Sequence, residues 1–217
     1  EDGIRDRSPS RGLGDVYKRQ DIGCGRGKIL GNLSTKLYLK KKPLGIDLVN
    51  HRDKDNRISF KKVDALIFYS TNKEKFDLIL IKQTIHLLSK DKIKKLLSLS
   101  RKNLSPNGKI IIFSLNPIKI EIPTFRLMKK KLTKSLKKDK KILNVIMKLY
   151  PNKILKKFIY KVKITKKKYL KMIQDRYIST LLSMTASELS DGVKEINFKF
   201  DKILKFNDNL VCIIIKK

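Results

Sequence analysis

The chain has 217 residues, with 53 Lys or Arg against 20 Asp or Glu and a formal net charge of +33. No apolar run approaches the ~20 residues of a membrane span; the longest, around Leu78 to Leu88, is broken by Lys82 and Gln83. Two cysteines, Cys24 and Cys212, imply no disulfide framework, and a reducing, cytoplasmic setting is expected.

The charge invites a polyanion-binding reading. The surplus is of Lys rather than Arg, and Ile and Asn are abundant beside it, which A/T-rich codons alone would produce. It is nevertheless uneven. Residues 118–180 hold 21 Lys+Arg and 3 Asp+Glu, a net of +18, where an even spread would put about ten.

Residues 1–20 resemble a translated sequencing adapter. Asp15-Val16-Tyr17-Lys18-Arg19-Gln20 is what GAT-GTG-TAT-AAG-AGA-CAG encodes, the mosaic end of transposase-based libraries. Ser10 to Gly14 continue that adapter, and Glu1 to Asp6 match a flow-cell primer. The segment is therefore set aside from fold reasoning, and the natural protein is expected to have been entered past its own N-terminus. The first strand should end at Asp21. Its apolar part is expected to be missing, with Val16 and Tyr17 standing in.

Asp21-Ile22-Gly23-Cys24-Gly25-Arg26-Gly27 follows, and Ile29, Leu30 and Leu33 continue at helical spacing. Leu44 to Leu48 is a short strand carrying Asp47, and Ile58 to Val63 is another, ending at Asp64-Ala65. Phe76 to Ile81 is a continuous apolar run, as in a strand buried on both faces. Ser89 is an N-cap for a helix through Ile93, Leu96, Leu97 and Leu104. Ser105 to Gly108 is a turn, and Lys109 to Leu115 a further buried strand. The alternation predicts a mostly parallel sheet with helices on both faces.

From 118 to 182 a Lys-rich helical insertion is expected. Ile142, Leu143, Val145, Ile146 and Leu149 make one amphipathic pattern, and Ile154, Leu155, Phe158 and Ile159 make another. Thr185-Ala186-Ser187-Glu188 matches a capping box before a short helix ending near Gly192. Ile196 to Phe206, Asn207-Asp208-Asn209 and Leu210 to Ile215 then read as a terminal antiparallel hairpin.

Glycines at alternate positions let a backbone approach a ligand closely. A dinucleotide fingerprint would need glycine where Lys28 stands. The G-x-G-x-G form instead resembles motif I of the class I S-adenosylmethionine-dependent methyltransferases, and the arrangement resembles that Rossmann-like family over residues 21–217. The resemblance implies S-adenosylmethionine as cofactor, held by Asp21, Gly23, Gly25, Gly27, Asp47, Asp64, Ala65 and Lys82. Asp21 would reach the methionine ammonium, Asp47 the ribose hydroxyls, and Asp64 with the Ala65 backbone the adenine. Lys82, Gln83 and His86 would border the methionine end and the substrate.

His86 is the candidate general base, because a neutral imidazole can take a proton from an attacking group. The plainer reading is a histidine packed in the first turn of a helix. Arg176 is the candidate for a substrate carboxylate; the plainer reading is a structural arginine. Asp47 and Asp64 have plainer readings as a cap or turn residue. Cys24 is given no chemistry, and no metal site is expected.

The leading expectation is methyl transfer to a small-molecule acceptor. The alternatives are an RNA or protein methyltransferase docking through the basic insertion, and a non-catalytic nucleic-acid- or membrane-binding module of the same fold. Neither an Asn-Pro-Pro-Tyr-like segment nor a Pro-Cys pair is present, which weighs against base modification.

Overall fold

The computed structural model describes residues 18–217. In chain order its elements are β1 (Arg19–Ile22), α1 (Lys28–Lys36), β2 (Leu44–Asp47), β3 (Ser59–Lys62), α2 (Ala65–Thr71) and β4 (Phe76–Lys82). A 3-10 turn at Ile85–Leu87, α3 (Lys90–Lys102), β5 (Leu104–Leu115), α4 (Arg126–Leu149) and β6 (Ile154–Thr165) follow. The last are α5 (Lys166–Gln174), α6 (Ser179–Leu182), α7 (Ala186–Lys199) and β7 (Ile203–Lys216). The strand order is β3-β2-β1-β4-β5-β7-β6, and the first five strands are parallel.

The chain forms two units. One runs to Phe113 and takes in Asn152–Ile154 and Ile213–Lys217; the other is Ser114–Pro151 with Leu155–Cys212.

In the first unit the parallel strands need helical crossovers, which α1, α2 and α3 supply. β4 is the apolar strand expected, with Ile79 and Ile81 wholly buried, and α3 turns Ile93, Leu96 and Leu97 inward. Ser89 caps α3 by accepting from the Lys92 N–H. The turn at Ser105–Gly108 is absorbed into β5. Phe76 pairs with Leu104 and Leu78 with Lys109, so the register jumps. Gly108 is required there, since a Cβ would press on the Phe76 carbonyl oxygen. The helix α2 has its own signal in Asp64, whose side chain accepts from the Leu66 and Ile67 N–H groups.

The strand β1 departs from the pattern of its neighbours. Arg19, Gln20 and Asp21 are all buried at the centre of a parallel sheet, where apolar residues are usual. Tyr69 donates its hydroxyl to Gln20 Oε1, while Gln20 Nε2 is buried without a partner. Val16 and Tyr17 lie outside the described residues.

In the second unit α4 buries Met128, Leu132, Leu136, Ile142, Leu143 and Ile146 along one face. Phe125, Tyr169, Ile173, Leu181, Met184, Leu189 and Ile196 complete the core. The lysine runs lie mainly on the outer side of α4.

Three local expectations are corrected here. Ile154 to Ile159 belong to β6, not to a helix. Their i, i+1, i+4, i+5 spacing suits a helix, and the β-branched and aromatic content of Phe158 to Ile164 favours the strand instead. The capping box at Thr185 is present, but α7 runs through Gly192 to Lys199. Gly192 lies against the Phe125 ring, where a Cβ would not fit, so its role is packing rather than a stop.

The expected turn at Asn207–Asn209 is likewise part of one continuous strand, β7. Asn207 and Asn209 donate their side-chain amides to Glu121 at 2.6 and 3.4 Å, which satisfies polar groups that would otherwise favour a turn.

The antiparallel end of the sheet is formed differently from the expected short hairpin. In the second unit the Asn116 N–H donates to the Asn209 carbonyl at 2.8 Å, and in the first the Lys217 N–H donates to Gly108 at 3.3 Å. Numbers rise along β5 as they fall along β7, so the two are antiparallel. Lys166, just after β6, donates to the carbonyl of Lys202, just before β7. These strands are a pair whose connection holds α5, α6 and α7. The fold is thus the expected α/β class, a mostly parallel sheet with an antiparallel end. Among the described residues no helix is long and apolar enough to cross a membrane.

Candidate functional site

Ligands of open parallel sheets sit outside the C-terminal strand ends, where the strand order reverses. Here that point lies between β1 and β4. A cleft of about 420 Å³ opens there within the first unit, lined from the ends of β1, β2 and β4 and the start of α2.

The glycine loop after β1 is left-handed at Gly23, Gly25 and Gly27, with φ of 68°, 55° and 73°. The three glycines serve different ends. A Cβ on Gly23 would collide with Thr84, and one on Gly27 with Ile58; one on Gly25 would meet nothing within 4 Å. Gly23 and Gly25 line the cleft, whereas Gly27 is the N-cap of α1 and is not among its lining residues. The loop is tied to β2 by the Gly23 and Cys24 N–H groups, both donating to the Ile46 carbonyl at 2.9 and 3.1 Å.

Asp47 ends β2 and reaches the same loop. Its Oδ2 accepts from the Gly25 N–H at 2.8 Å and its Oδ1 from the Val49 N–H at 2.9 Å. Each carboxylate oxygen has two lone pairs, so both keep acceptor capacity. Asp64 lines the cleft as the cap of α2, with Oδ1 accepting from the Leu66 N–H at 2.7 Å. Ala65 follows it as the first residue of that helix.

Asp21 is 3% exposed, and its Oδ1 has no hydrogen-bond partner. Burial pushes its pKa up to about 7; the Lys82 cation pulls it down and the Asp47 carboxylate pushes it further up. Lys82 ends β4, paired in register with Phe113, and lines the cleft. Gln83 follows with φ of 52° and donates its N–H to the Phe113 carbonyl. Cys24 fills the space above Gly45. Burial and two nearby carboxylates push its thiol up to about 12, so it stays neutral.

Two candidates fall elsewhere. His86 sits half-buried in the 3-10 turn; Leu87 and Leu88 line the cleft and His86 does not. Arg176 is in the second unit. Its NH1 donates to the carbonyls of Leu181, Leu182 and Met184 at 2.6, 3.2 and 2.7 Å, so its guanidinium is engaged in fixing the end of α6 rather than left open for a substrate.

The apolar rim of the cleft was not legible as such. Ile29 looks like a partner of Leu30 in the helix pattern. Adjacent helical residues diverge by about 100°, and only Leu30 is buried while Ile29 lines the cleft. Leu48, Thr84 and Leu87 line it too; their position next to strand ends was the available signal.

These groups suit a ligand with a cation and hydroxyls. Asp21 offers an orphaned acceptor, Asp47 two oxygens with spare capacity, and Gly25 an open approach.

Residues 20–112 match a family model described as "Methyltransferase domain". Among curated proteins none matches the chain. Among solved structures the chain is similar to a SAM-dependent methyltransferase from Archaeoglobus fulgidus, with a TM-score of 0.55, 19% identity, and coverage of 93% of this chain and 86% of that one. It is also similar to the plantazolicin methyltransferase BpumL, solved with a pentazolic desmethylPZN analog and SAH, with a TM-score of 0.51, 18% identity, and coverage of 93% and 77%. At such identities the likeness speaks for the fold.

Proposed function

We propose that this chain is an S-adenosylmethionine-dependent methyltransferase that serves a small-molecule acceptor. The observation that carries the cofactor part of the reading is the pairing of Gly25, open to the cleft, with Asp47, whose carboxylate holds the same loop. When bound, S-adenosylmethionine supplies a methyl group already activated on a sulfonium. The residues of the cleft then have binding and positioning to do. Asp47 accepts from the ribose hydroxyls with its remaining lone pairs. Asp21 receives the ammonium on its orphaned Oδ1, which favours the charged carboxylate. Asp64 and the Ala65 backbone take the adenine edge, and Lys82 faces the methionine end. Positioning for in-line attack supplies the acceleration in this reading, without a general base.

We also infer that residues 1–20 are adapter-derived. The buried polar side chains of Arg19 and Gln20 in β1 support this, since they suit that place in a parallel sheet poorly.

Isothermal titration of S-adenosylhomocysteine tests the cofactor site. Micromolar binding that Asp47→Ala weakens at least tenfold is expected. Absence of heat with a folded protein would overturn the reading. Labelled-methyl transfer to metabolite extracts and to RNA then tests the acceptor class, and label found only in RNA would replace the small-molecule assignment.

A further inference from the structure

Among the described strands β6 lies at the sheet edge, next to β7. Every residue from Leu155 to Lys161 is exposed. Successive side chains of a strand alternate between faces, so Lys156, Phe158 and Tyr160 share one face, and Lys157, Ile159 and Lys161 the other. Phe158 and Tyr160 are 45% and 68% exposed and stand about 7 Å apart along the strand. Further along the first face, Ile164 packs against the core of the second unit, which anchors the strand.

The surroundings are uniformly basic. Residues 140–174 contain 12 lysines and no Asp or Glu. No ion pair engages Lys156, Lys157, Lys161 or Lys163 among the described residues. This strand therefore repels a second copy of itself. Both faces mix Lys with apolar groups, whereas a membrane-surface element segregates them. Exposed rings interleaved with cations along an extended element suit bases that are free to stack and a backbone that carries phosphate.

We propose that β6 is a docking surface for single-stranded nucleic acid, with Tyr160 as the stacking platform and Lys156, Lys157, Lys161 and Lys163 as phosphate contacts. The surface lies in the second unit and is independent of which molecule accepts the methyl group.

The test is fluorescence anisotropy of a labelled 15-residue oligouridylate with the full chain, titrated at several salt concentrations from about 50 mM upward. Binding is expected. Changing all four lysines to Gln should lower the slope of log affinity against log salt by about 3, from ~0.7 per single-strand phosphate contact. Tyr160→Ala should weaken single-strand binding about tenfold and leave duplex binding unchanged, because only free bases stack. All five positions are exposed, and thermal melts check that the variants fold. The proposal is overturned by no anisotropy change at the lowest salt. It is equally overturned by affinity that neither variant alters, by duplex bound as tightly as single strand, or by phosphatidylglycerol vesicles bound while the oligonucleotide is not. Cofactor titration in the same variants should match the wild type, which keeps this test separate from that of the methyl-transfer site.

Discussion

The Gly25 N–H donates to Asp47 Oδ2 at 2.8 Å, so the glycine loop after β1 is held by the carboxylate that ends β2. Removing Asp47 affects both the loop and the ligand. Asp47→Ala should cost about 2–3 kcal/mol in S-adenosylhomocysteine affinity, the scale of a charge-assisted hydrogen bond. Asp47→Asn should fall between that and the wild type. Calorimetric titration of the three proteins checks the order.

Gly23, Gly25 and Gly27 should respond differently to alanine. All three pay the left-handed penalty of about 1–2 kcal/mol. At Gly27 a Cβ would also strike Ile58, and at Gly23 Thr84, while at Gly25 it enters open cleft. Gly23→Ala and Gly27→Ala should therefore lower Tm more than Gly25→Ala. Gly25→Ala should lower Tm by the left-handed penalty alone and lose cofactor affinity. Melting curves paired with titrations separate the two behaviours.

Asp21 makes stability depend on pH in an unusual direction. Its folded pKa of about 7 lies above the ordinary 3.8, so between those values the folded state holds more protons than the unfolded one. The contribution of Asp21 to stability must then fall as pH rises from about 4 to about 7. Asp21→Asn should flatten that slope in melts taken across the range. Asp55 works oppositely, held down to about 2 chiefly by its hydrogen bond to Arg57. Its contribution is present above pH 4 and is lost as pH falls toward 2. A slope that Asp21→Asn leaves unchanged would remove Asp21 as its cause.

Gln20 of β1 and Tyr69 form a buried polar pair with Ser100 beside the Tyr69 hydroxyl, and Gln20 Nε2 is unsatisfied. Replacing both partners removes the unmet Gln20 Nε2 and the Tyr69 hydroxyl together. Gln20→Leu with Tyr69→Phe should raise stability by about 1–2 kcal/mol, whereas Gln20→Leu alone takes the Gln20 acceptor from the Tyr69 hydroxyl and should gain less. Denaturant midpoints of the single and double variants give the comparison.

Arg176→Ala should lower Tm through loss of three carbonyl contacts at the end of α6. The expected cost is about 1–3 kcal/mol, with cofactor affinity unchanged. An unchanged Tm with a raised acceptor KM would return Arg176 to a substrate role.

Much of the first unit was legible because its signals are local. Phe76 to Ile81 announces a buried strand by composition, and Ser89 announces a cap by position. Asp21, Asp47 and Asp64 fall at the cleft because strand ends are readable. The second unit was less so. Ile154 to Ile159 fit a helical period, Gly192 resembled a stop, and Asn207–Asn209 resembled a turn. In the last two cases a distant partner decided: the Phe125 ring for Gly192, and Glu121 for the asparagines.

The sequence by itself determined the alternation of strand and helix, the left-handed glycine loop and the carboxylates that follow it, since each depends on neighbours a few residues away. Tertiary structure alone decided which glycine opens to the cleft, that Asp21 is buried with an orphaned oxygen, that Arg176 is engaged by carbonyls, and that β6 presents its rings to solvent. Those properties depend on what lies across space from each side chain. Burial, steric exclusion and hydrogen-bond supply are set by residues far away in the chain, and no local pattern encodes them.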